Sequence, residues 1–102
     1  MDPDVLRLAD ALDDLASFLA AHRERDWAER VAKDARRVRR GGGFGVTDFL
    51  SAFGGMGSMN DLVVHPLNGD ASADDTNALN DAFERLRSDA WRQATALRND
   101  AQ

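Results

Sequence analysis

Apolar residues recur at helical spacing in three parts of the chain. Leu8, Leu12, Leu15 and Leu19 follow one another at intervals of four, three and four, with Val5 a turn earlier. That is the pattern of a helix burying one stripe. Asp2 suits the N-cap, Pro3 suits the first helical position, and early aspartates complement the positive end of the dipole. The spacing predicts a helix over about 3–21. Trp27, Val31, Ala35 and Val38 share one face of a second helix. Asp26 with Arg30 and Glu29 with Lys33 form acid-first pairs four residues apart, the favourable order. Its last turn is rich in arginine, and the "GGG" at 41–43 stops it. His22 to Arg25 form the bend between the two helices, although no glycine or proline marks it; one long kinked helix is the competing reading. Leu79, Phe83, Leu86, Ala90, Ala94 and Leu97 line the last helix, flanked by Trp91. It is expected to run to about residue 99, capped by Ser72, Asp74 or Asp75.

The middle of the chain is less regular. In "VTDFLSAF", Thr47 can cap a short helix carrying Phe49, Leu50 and Phe53, ended by Gly54. "GGMGS" follows, and "DLVV" is long enough only for a strand fragment. Pro66 keeps His65 out of the α region, so the chain leaves this loop extended. The summed expectation is an all-α fold in a single domain over 1–102. It is a small antiparallel helical domain of three long helices and one short helix, with an ordered glycine-rich loop.

Composition narrows the chemistry. An apolar fraction of 43% supports a modest core in 102 residues. The chain has no cysteine, which excludes disulfides, thiolate nucleophiles and thiolate metal sites. Its two histidines, His22 and His65, cannot build a zinc site unaided, so no metal or cofactor is expected. Asp2, Asp4, Asp10, Asp13 and Asp14 give the N-terminus the reverse of a signal peptide's charge. No apolar run approaches the roughly 18 residues of a membrane span, and a cytoplasmic location without membrane contact is expected. The net charge of −5 is uneven, with residues 1–22 contributing −4 and residues 23–40 contributing +4. Such a chain is a poor general nucleic-acid binder and a fit partner for a basic protein.

Three stretches invite a functional reading. In "RVAKDARRVRR", Arg30, Lys33, Arg37 and Arg40 fall on one side of the helix, opposite Trp27, Val31 and Val38. They read as a solvated face, because Asp26, Glu29 and Asp34 dilute the charge and no aromatic residues interleave to stack bases. "GGGFGVT" before a helix suggests an anion cradle, but the P-loop lysine is absent and a helix precedes it, so a helix stop and tight turn explain it better. In "FGGMGSMNDLVVHP", Gly54, Gly55 and Gly57 allow a sharp reversal, and Ser58, Asn60 and Asp61 can satisfy the amides such a turn exposes. His65 with Asp61 as its orienting group is a conceivable acid–base pair, but Pro66 argues against the helix that would bring them together. No catalytic set is assigned. Gly54, Gly55, Gly57 and Ser58 read as a structural loop.

The string "LSAFGGMGSMNDLVVHPLNG" over 50–69 resembles the hallmark of a small bacterial family known only as a domain of unknown function. The Trp27–Ala28 pair early in the second helix fits the same pattern, and the resemblance spans roughly residues 5–97. "GGGFG" departs from the family's Gly-Asp turn, so no acid's role carries over there. The resemblance implies a short protein similar to immunity proteins. The expected function is a non-enzymatic binding protein, an immunity-type antitoxin covering the basic cleft of a cognate toxin that acts in the cytoplasm. Asn60, Asp61, His65, Asp70, Asp74 and Asp75 are its candidate contacts. A small hydrolase or transferase using Asp61 and His65, and a structural or regulatory homo-oligomer, such as a homodimer, with Trp27 or Trp91 buried between subunits, are the alternatives.

Overall fold

A computed structural model describes residues 3–41, 43–52, 62 and 73–100. They form four helices: α1 (Pro3–Ala21), α2 (Arg25–Arg39), α3 (Gly43–Ser51) and α4 (Ala73–Asp100). No strand occurs among the described residues. The fold is all-α, with three long helices and one short one, as the spacing predicts.

The leucine stripe of α1 is the centre of the core. Leu8, Leu12, Leu15 and Leu19 are completely buried, together with Ala9 and Ala16. Each leucine removed from water contributes about 1.5–3 kcal/mol before entropy is subtracted. From α2 come Ala28, Val31, Ala35 and Val38, from α3 Phe49, and from α4 Phe83, Ala90 and Ala94. Each helix touches two neighbours and not the one diagonally opposite, in the cyclic order α1, α2, α3, α4.

Neighbouring helices run antiparallel. Arg39, at the end of α2, binds Asp10 at 2.9 Å and Asp13, around the middle of α1. Phe18, near the end of α1, stacks on Phe83 in the first half of α4, with ring centroids 6.0 Å apart. Across α3, Arg30 near the start of α2 meets Asp48 and Ser51 near the end of α3.

The bend after α1 is real, and the single-helix alternative is excluded. The Glu24 N–H donates to the Leu19 carbonyl at 2.9 Å and the Arg23 N–H to the Ala20 carbonyl at 3.3 Å. Those bonds, with Arg23 at φ 66°, make the helix-ending motif that usually places glycine in the left-handed position. Arginine occupies it here, which is why no glycine marks the turn. The His22 Nδ1–H donates to the Phe18 carbonyl at 2.7 Å, closing the last turn of α1. After α2, glycine does take that position: Gly41 has φ 81° and its N–H bonds the Val38 carbonyl at 2.9 Å.

Two expectations are corrected. Helix α3 starts at Gly43, not after Thr47, so Thr47 lies inside the helix and is not its cap. Gly43 thus belongs to α3 instead of the preceding stop. Glycine inside a helix costs about 1 kcal/mol relative to alanine, so sequence spacing disfavours this start; close packing of Gly45 against α2 overrides it. Second, the basic face of α2 is not uniformly solvated, because Arg30 and Arg37 turn toward α3 and a buried acid.

Candidate functional site

The predicted loop residues Gly54, Gly55, Gly57, Ser58, Asn60, Asp61, His65 and Asp70 lie outside the described residues. So do Phe53, the strand fragment beyond Leu62, and the capping residue Ser72. Asp74 and Asp75 fall in the first turn of α4, with their side chains outside the described set. Leu62 packs against the core, anchoring the chain between α3 and α4.

The most unusual chemistry sits at the joint of α2 and α3. Asp34 follows Lys33 in a helix whose other acids are exposed, yet it is 1% exposed. It falls on the core side of α2, flanked by the buried Val31, Ala35 and Val38. The joint is tight because Gly45 is buried there. A Cβ at that position would lie 2.8 Å from the Asp34 carbonyl oxygen, 2.9 Å from Arg37 Cβ and 2.9 Å from a Val38 methyl. Only glycine lets the two backbones approach so closely.

Among the described residues, no N–H or O–H donor reaches either carboxyl oxygen of Asp34. Arg37 Nη1 is 3.8 Å from Oδ1, too far for a hydrogen bond. Its carboxyl neighbour across the joint is Asp48 on α3, which can hydrogen-bond it only when one of the two is protonated. Two carboxylates can be joined only through a proton held between them. Burial, then the hydrogen bond with Asp48 and its negative charge, pushes Asp34 up to about 8, against weaker pulls from Arg30 and Arg37. Asp48 moves the other way: the hydrogen bond from Asp34 lowers it, burial opposes that, and Arg30 assists. At neutral pH Asp34 is therefore the acid that donates and Asp48 the carboxylate that accepts.

Asp48 is held from its other side. Arg30 Nε donates to Asp48 Oδ2 at 3.4 Å, and Nη2 donates to the Asp48 carbonyl at 3.2 Å and to Ser51 Oγ at 3.0 Å. The Ser51 hydroxyl donates to the same carbonyl at 2.6 Å. The Arg30 guanidinium also lies 5.7 Å from the centre of the Trp27 ring. One arginine thus ties the end of α3 to the start of α2. The charge pattern alone could not separate Arg30 and Asp34 from the solvated residues around them. A signal did exist, because Asp34 shares the helical face of Val31, Ala35 and Val38.

A second feature is a groove of about 460 Å³ on the first half of α4, lined by Leu62, Phe83, Asn77, Asn80, Asp81 and Glu84 among others. Among the described residues its apolar lining is Leu62 and Phe83, and its amides and carboxylates come from successive turns of α4. Arg87 borders it, paired with Glu84 and lying 4.9 Å from the centre of the Phe83 ring. Burial lowers the Arg87 pKa from its ordinary value. No group of three or more histidine, aspartate or glutamate side chains among the described residues could hold a metal ion.

The architecture is that of a small all-α helical bundle. Within it, residues 20–73 match the family described as a domain of unknown function, DUF6966, and the chain belongs to that family. The match covers α2, α3 and the segment leading into α4, a narrower span than the resemblance drawn over 5–97. No curated protein matches the chain, and no solved structure does. No helix among the described residues is long and apolar enough to cross a membrane.

Proposed function

We propose that this protein is a non-enzymatic binding module, most simply an immunity-type antitoxin that covers the basic cleft of a toxin acting in the cytoplasm. The observation that supports this reading best is the groove on α4. Leu62 offers an apolar contact to the stem of a long basic side chain, and the exposed Asp81, with Glu84 a turn away, supplies negative charge for its head. The net charge of −5 adds long-range attraction toward a basic partner. Leu62, which lines the groove, belongs in sequence to the stretch that holds Asn60, Asp61 and His65.

Co-expression with the product of an adjacent gene tests the proposal. Rescue of growth and a complex surviving gel filtration are expected, with affinity falling at least tenfold in the Asp81→Lys, Glu84→Lys double variant. Absence of binding to any neighbouring gene product would remove the support. The homodimer reading draws on Trp91, which is 42% exposed, whereas Trp27 packs partly into the core. Light scattering separates the two readings, because a monomeric wild-type chain leaves no role for Trp91 as a dimer contact.

A further inference from the structure

We propose that the Asp34–Asp48 carboxyl pair is a proton-operated latch, which holds α3 against α2 and releases it as Asp34 ionises. Three observations converge on the same few atoms. Asp34 is 1% exposed and no N–H or O–H donor reaches its carboxyl oxygens, so in the ionised form it is a buried charge without a hydrogen bond. Asp48, its neighbour across the joint, is already a carboxylate fixed by Arg30, so a second negative charge there repels it. The backbones meet so closely at Gly45 that the joint offers α3 little room to make way for water while staying docked.

The protonated state reverses each of these costs. The Asp34 O–H then donates to a carboxylate, a short and strong class of hydrogen bond, and both halves of the joint are satisfied. Packed contacts of this kind switch between arrangements and do not deform continuously.

The charges facing Asp34 can be stated for each element. On α2 itself, Arg30 and Arg37 favour its ionisation, and from α3 Asp48 opposes it. On α1, Asp10 and Asp13 are bound to Arg39. Helix α4 does not touch α2. Burial and Asp48 outweigh the two arginines, which puts the ionisation at about 8. A released α3 returns Asp34 toward its ordinary value of 3.8. The latched-to-released ratio then changes by up to about tenfold per pH unit between those two values.

The latch stands apart from the binding reading and is tested on the protein without a partner, so either idea can fail by itself.

The experiment pairs a carbon-13 titration of the Asp34 carboxyl with amide hydrogen exchange, expressed as protection factors, between pH 6 and pH 9. Asp34 is expected to titrate near 8. Protection of residues 46–51 is expected to sit below that of Leu8–Leu19 throughout, because α3 opens without global unfolding. It should also fall roughly a hundredfold across the range. Asp34→Asn, which keeps a donor toward Asp48 but has no proton to lose, should lose that dependence. Asp48→Asn should move the Asp34 titration downward. An Asp34 titrating near 3.8 would overturn the latch, as would α3 protection that does not vary with pH. Equal protection in α3 and α1 would overturn it too, by making the pair a determinant of the whole fold.

Discussion

Replacing Gly45 with alanine adds one methyl group where the structure has no room for it. The new Cβ would lie 2.8 Å from the Asp34 carbonyl oxygen and 2.9 Å from both Arg37 Cβ and a Val38 methyl. Ordinary van der Waals contact begins near 3.4 Å, so α3 must retreat from α2 by roughly half an ångström. Two of the three obstacles are a backbone oxygen and a Cβ, which move only with the helix. Overpacking of this kind costs about 1–3 kcal/mol, and three simultaneous contacts argue for the upper part of that range. Against it stands alanine's helical preference over glycine, about 1 kcal/mol. The clash wins, with a net loss of about 2 kcal/mol. For a chain of this size each kcal/mol moves the melting temperature by about 4–8 °C, so Tm should fall by roughly 10 °C. Gly43 is the internal control. It lies in the same helix with nothing within 4 Å of an added Cβ and no positive φ, so Gly43→Ala should melt at or above the wild type. Circular dichroism melts at 222 nm and pH 7 measure both variants. A Gly45→Ala protein as stable as the wild type would refute the close approach of α2 and α3.

Other outcomes follow from the same structure. The native value of Asp34, raised to about 8 from 3.8, means the folded state holds a proton that the unfolded state has lost. Stability should therefore fall as pH rises from about 4 to about 8, by up to about 1.4 kcal/mol per unit, and level off above. Urea titrations of wild type minus Asp34→Asn isolate that slope, and identical slopes would refute it. Arg23 holds φ 66°, a conformation costing a non-glycine residue about 1–2 kcal/mol. Arg23→Gly should raise the urea midpoint, since glycine takes this position without the Cβ clash. Leu12→Ala, at a completely buried site on α1, should cost about 2–5 kcal/mol. A smaller loss in the same titration would mean the core collapses around the deletion.

The long helices were legible because amphipathic spacing is a local property. Pro3 opens α1 as its position in the sequence suggests, and the leucine stripe is buried throughout. The last helix follows the predicted span, with Phe83, Ala90 and Ala94 buried and Leu79, Leu86 and Leu97 partly so. Gly41 ends α2 as expected, and it does so in the left-handed conformation. The bend at His22 to Arg25 falls where expected but carries no glycine or proline, because Arg23 itself adopts the left-handed conformation. The start of α3 is hidden for a related reason: its glycines read as a helix stop and tight turn until another helix is laid across Gly45.

The sequence alone determined the class of fold, since burying three apolar stripes leaves few arrangements other than a bundle. It also determined the acidic balance of the surface, which is a count of side chains. Only the tertiary structure decided which charges are solvated and which are confined. Spacing puts Asp34 on the face of Val31, Ala35 and Val38 but names neither its neighbour nor its charge state, and it does not separate Arg30 from Lys33 until α3 closes over one side of α2. Ionisation depends on distance and solvent exposure. For Asp34 and Asp48 both are set by contacts between residues fourteen apart in sequence.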